Sequence, residues 1–178
     1  LPTMLSADPA PVIVSYRPTG LVQATSMVTT FADIDATNLK AVVVCPPSGR
    51  IKYRLKASCA TGGPNTQGRW ALAVNGTTIT TTVAVSLQAT SAAAAPATPT
   101  SAEGILTTSD NAGTALVPGT AYTITWQHAS GTDESSMRTE YGGTVGAAFM
   151  EFVPIVHRIT ETPMTVTESA AVGTGGFG

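Results

Sequence analysis

From Arg50 to Ala57 the chain alternates without a break. Arg50, Lys52, Arg54 and Lys56 share one parity, and Ile51, Tyr53, Leu55 and Ala57 share the other. Successive side chains in a strand point to opposite faces, so this stretch predicts a strand with one apolar and one cationic face. A second alternation sets Tyr122, Ile124, Trp126 and His128 against Thr123, Thr125 and Gln127, which predicts a central strand with its aromatic side inward. Ile51, Tyr53, Leu55, Tyr122, Ile124 and Trp126 are therefore expected to be buried on facing sheets. Looser β patterns cover 21–31 and 39–45, and a last strand pair is expected within 144–159. In RWALAVNGTTITTTVAVSLQA (69–89), Asn75 and Gly76 separate two β-prone runs, and both tolerate the positive φ of a tight hairpin turn.

The intervening segments read as loops. ADIDATN (32–38) and ATGGPNTQG (60–68) are rich in turn formers, and GTDESSMRTEYGG (131–143) is polar. TSAAAAPATPTSAEG (90–104) has two prolines and no amphipathic period, so it reads as a surface loop or strand crossover. The PPSG turn after Cys45 is expected to fold 39–45 back against the cationic strand. No segment carries a convincing helical period. About eight strands without a covering helix point to an all-β fold, an antiparallel jelly-roll-like β-sandwich. An immunoglobulin-like sandwich is second, since its inter-sheet cysteine pair is missing. Residues 1–20 hold four prolines and read as an extended N-terminal arm, 21–159 as the sandwich domain, and 160–178 as a flexible C-terminal tail.

Composition narrows the classes. With 43% hydrophobic and 11% charged residues over 178 positions, the chain can bury one substantial core. A net charge of -2 argues against general capture of nucleic acid, and four of the nine cations sit in the one alternating strand. No apolar run approaches the ~18 residues of a membrane helix, and no signal-peptide pattern is seen, so no membrane partner is expected. Cys45 and Cys59 would fall at opposite ends of the expected hairpin, too far apart to bridge, and free buried thiols fit assembly in a reducing cytoplasm.

Each chemical candidate has a plainer structural reading. His128 lies on the aromatic parity and reads as a packed or rim histidine, and His157 as a surface or interface residue. HASGTDESS collects His128, Ser130 and Asp133, but triad members meet by folding rather than by adjacency. DIDATN brings Asp33, Asp35 and Asn38 together without the glycine and distal glutamate of a calcium loop, so capping is the expected role. The Asn75 sequon reads as a turn, and the terminal GTGGFG has no helix after it to hold phosphate. No catalytic residue, metal ligand or cofactor is expected. The face of Arg50, Lys52, Arg54 and Lys56 reads as solvated, or as a contact for an acidic protein surface. The apolar Val12, Ile13, Val14 and Tyr16 in the arm could add a strand to a neighbouring subunit's sheet edge.

The succession ADIDATNLKAVVVCPPSGRIKYRLKAS, then GTAYTITWQHASG and a closing hydrophobic strand, resembles β-sandwich virion proteins of tailed bacteriophages of actinobacterial type over residues 20 to 158. The resemblance rests on strand order and turn style. It implies a non-enzymatic structural protein, a capsid decoration or minor virion protein held by terminal arms. Its expected partners are the major capsid or another virion protein and further copies of itself, such as a trimer, at the virion surface. The alternative it implies is the receptor-binding or carbohydrate-binding head of a tail or head fibre, with a host surface glycan as ligand.

Overall fold

The structure is a computed structural model that describes residues 10–26, 28–61, 67–88, 95–131 and 137–156, with backbone alone at 85–88 and 95–97. Eleven strands are present: β1 Val12–Tyr16, β2 Val22–Ser26, β3 Ala32–Asp33, β4 Lys40–Val44, β5 Ile51–Thr61, β6 Gln67–Val74, β7 Thr77–Gln88, β8 Ala95–Leu106, β9 Ala121–Ser130, β10 Met137–Tyr141 and β11 Ala148–Pro154. They form two antiparallel sheets packed as a β-sandwich. Expectations about residues 1–9, Asp133, His157 and the tail 160–178 with its GTGGFG end lie outside the described residues.

In the first sheet β8 pairs with β5 along its length, so β11 and β10 share the other edge of β5. β1 pairs with β11 and β2 with β10, which places β1 and β2 in one outer row. In the second sheet the rows run β7, β6, β9, and then β4 and β3 together. The two clean alternations fall on opposite sheets, as expected. Ile51, Tyr53 and Leu55 of β5 and Tyr122, Ile124 and Trp126 of β9 are all buried, and Trp70 of β6 meets Trp126 edge to face at 4.7 Å. Such aromatic pairs stabilise by about 0.5–1.5 kcal/mol beyond their buried area.

Four expectations need correction. The N-terminal arm is not separate from the domain between Val12 and Tyr16. That segment is β1, with Val12, Val14 and Tyr16 packed against the chain's own core. The segment 39–45 does not pair with the cationic strand, because β4 pairs with β9 and the PPSG turn carries the chain between sheets. Cys45 and Cys59 are buried and not joined by a disulfide, yet the hairpin argument for their separation does not describe the fold. Of residues 90–104, read as loop or crossover, 95–104 belong to β8. Within the described strands β8 is an edge strand, where a proline's missing donor is tolerated. Residues 137–141, read as polar loop, form β10, whose inner positions Met137, Thr139 and Tyr141 are buried.

Local chemistry explains where rows turn or break. Asn75 (φ 48°) and Gly76 (φ 85°) make the expected tight turn, and the Asn75 side chain accepts a hydrogen bond from the Thr123 amide at 3.0 Å. The β10–β11 row is interrupted at Gly142–Ala147, where Gly142 has φ 88° and a Cβ there would strike the Gly20 carbonyl and Pro18. Only glycine fits that position. Opposite, the β1–β2 row breaks at Arg17–Leu21, and the two breaks are stitched by Gly143 N donating to Pro18 O and by Arg17 donating to Gly143 O at 2.9 Å.

Candidate functional site

The break in the β10–β11 row has a consequence on the outer face of the first sheet. β11 pairs with β5 as far as Lys56 and β10 begins at Ser58, so Ala57 has no register partner on that edge. The chain between Gly142 and Ala147 swings out of the row, and a half-open groove of about 520 Å³ lies beside it. Its floor carries Arg54, Lys56 and Ser58. Pro99 of β8 stands on one side, Val145 to Ala147 on the other, and Phe149 and Ser15 close one end. The volume lies within the ~300–1,000 Å³ range of ordinary ligand pockets.

Lys52, Arg54 and Lys56 are exposed on this face as the alternation predicts, and Arg50 is exposed in the turn before the strand. Their neighbours were not legible before pairing was known. Arg54 lies in one row with Glu103, Glu151 and Ile13. Its Nη2 and Nε both donate to the same Glu151 oxygen, at 2.7 and 3.1 Å, so this cation is neutralised. Lys52 sits between Ile105 and Val153, and Lys56 between Ser101 and the half-buried Phe149. Neither lysine makes a hydrogen bond or ion pair among the described residues. Of the other expected contact residues, Val12, Val14 and Tyr16 turn inward, while Ile13 is 57% exposed on the same face as the groove.

The remaining candidates have structural partners. His128 is buried, and its Nδ1 lies 3.2 Å from the Thr139 hydroxyl of the facing sheet, which also accepts from Trp70 Nε1 at 3.1 Å. Burial pushes its pKa down to about 4, so the imidazole is neutral near pH 7. Ser130 is buried as well. Asp33 Oδ1 accepts from Thr125 and Gln127, whose own Oε1 accepts from Thr78, tying β3, β9 and β7 across the outside of the second sheet. Asp35 caps the turn to β4, accepting from the amides of Thr37 and Asn38 and from the Asn38 side chain and Tyr141 hydroxyl. Burial works against its charge, but those hydrogen bonds outweigh it and hold the carboxyl below its usual range. Tyr141 is pushed up to about 12, first by burial and then by the Asp35 charge. Among the described residues no cluster of three or more His, Cys, Asp or Glu is placed to hold a metal ion.

The residues that make the groove a concave site, Ser15, Ser58, Pro99, Val145 and Phe149, come from four separate parts of the chain. The trace they leave in the sequence is the glycine cluster Gly142, Gly143 and Gly146, which marks an interrupted strand. No protein-family model and no curated protein matches this chain.

Proposed function

We propose that this chain is a non-enzymatic structural protein of a bacteriophage virion, a capsid decoration or minor virion protein that stabilises the assembled particle. The observation that carries the reading is the character of the two outer faces. Ile13 and Ile105 flank the charged row on one sheet, and Val42 and Val44, 58% and 46% exposed, project from the other. These exposed aliphatic side chains are contact area that a neighbour on either side could cover. The row order adds support. Numbering the eight rows along the chain, with β1–β2, β3–β4 and β10–β11 each as one row, gives 1-8-3-6 in the first sheet and 2-7-4-5 in the second. This order favours a jelly roll, two Greek keys wrapped together, an architecture used by viral capsid domains as well as by lectin domains and cupins.

The mechanism is mass action: a protein that binds only the assembled shell raises its stability by RT ln(1 + [L]/Kd). The experiment is co-sedimentation of the purified chain with DNA-free shells of a tailed actinobacterial phage, and in parallel with host cell walls. Saturable binding to shells, with a raised shell melting temperature, supports the proposal. Binding to walls alone moves the assignment to the fibre-head alternative and its host glycan.

A further inference from the structure

Lys56 is the cation on the groove floor without a described partner, and the groove around it is built from donors. Lysine carries three donors and no acceptor, and arginine five donors and none. Arg54 directs Nε and Nη2 at Glu151 and leaves Nη1 without a partner among the described residues. Among the described residues, the only other side-chain polar groups lining the groove are the hydroxyls of Ser15 and Ser58, and no carboxylate or amide side chain lines it. A neutral sugar hydroxyl can accept from these donors, but it brings no charge to pair with Lys56. A ligand rich in acceptors finds a fitted set.

Charge narrows the class further. Arg54 is paired with Glu151, so Lys56 is left as the one cation on the groove floor without an ion-pair partner among the described residues. That balances a single carboxylate, whereas a phosphate monoester carries about -1.5 to -2 at pH 7. The apolar groups Phe149, Pro99 and Val145 can cover the methylenes that lead to such a carboxylate. We propose that the groove receives an acidic side chain, Asp or Glu, from an extended segment of a virion partner protein, with Lys56 as its ion-pair partner. An extended segment turns alternate side chains to opposite sides, so one acidic residue enters while its neighbours run along the open rim. This rests on the structural role proposed above and names the chemistry of its contact.

The test is an NMR titration of the full chain with the blocked peptide Ac-Thr-Glu-Ala-Glu-Thr-NH2, its Gln counterpart, and digalacturonic acid. The expected result is saturable shifts centred on Ser15, Ser58, Gly146 and Phe149 with the Glu peptide and roughly fivefold weaker binding of the Gln peptide. Lys56→Met should bind roughly fivefold more weakly, the upper range for a partly exposed ion pair, with an unchanged melting temperature. Lys52→Met, outside the groove, should bind as the wild type does. Equal shifts with the Gln peptide, no saturable shifts, tighter binding of digalacturonic acid, or wild-type affinity in Lys56→Met overturns the assignment. Shell binding separates the two claims. If Lys56→Glu leaves shell binding intact, the groove assignment fails and the structural role stands. If the chain ignores shells yet binds the Glu peptide through Lys56, the reverse holds.

Discussion

Acidification should destabilise this protein through one buried imidazole. His128 lies in the core at 3% exposure, between Trp70 and Thr139, and burial holds its pKa at about 4 against 6.5 for the free side chain. Above pH 6.5 the residue is neutral in both folded and unfolded chains, and the full stability is present. As pH falls below 6.5 the unfolded chain takes up the proton first, so stability drops by ~1.4 kcal/mol per pH unit until the folded pKa is passed. The whole span corresponds to about 3 kcal/mol, a large share of the ~5–15 kcal/mol that holds a typical domain together. Asp35 acts in the same direction but in a lower window. Its folded pKa lies below 3.8, so its contribution is lost only as pH falls through and below that value. Urea unfolding followed by tryptophan fluorescence at pH 7.5, 6.0, 5.0 and 4.5 reads the slope, and the imidazole proton shift in the folded protein reads the pKa. His128→Phe should remove most of the slope between pH 6.5 and 4.5. Flat wild-type stability over that window, an equal slope in the variant, or a folded imidazole that titrates near 6.5 would refute the reasoning.

Two further perturbations probe the core and the sheet edge. Thr139→Val keeps the shape but leaves Trp70 Nε1 and His128 Nδ1 without their shared hydroxyl, so urea unfolding should show a loss of about 2–4 kcal/mol, while Thr81→Val on the surface should change little. Deleting residues 1 to 16 strips β1 from β11 and uncovers part of Met150 and Phe152. It should lower stability by about 3 kcal/mol, the half-burial of three apolar side chains, and produce concentration-dependent association in sedimentation velocity through the bared edge.

What the sequence makes legible here is set by parity. β5 and β9 alternate cleanly because each has one face in the core, and their buried sets were readable residue by residue. β8 was hidden because Pro96 and Pro99 break helices and central strands alike, and only its place at an edge makes them harmless. β10 was hidden because one of its inward residues is Thr139, a polar side chain satisfied by Trp70 and His128 from the other sheet. No local pattern carries that partnership. The cationic row was visible, but not its pairing with Glu103 and Glu151, since strand neighbours are decided by topology and not by spacing. The groove was out of reach for the same reason.

The placement of β1 changes how attachment to a partner would work. The apolar run Val12 to Tyr16 has the pattern of a strand that augments a neighbour's sheet, and here it augments its own. Its inner side chains are committed to the core, which leaves Ile13 and Ser15 as the outward residues of that row. Ser15 sits at the end of the groove, beside Phe149, so the arm contributes a wall of the candidate contact rather than the contact itself. Within the proposed role, attachment then depends on a preformed surface and not on ordering a free segment. A preformed surface avoids the entropy of fixing that segment on binding.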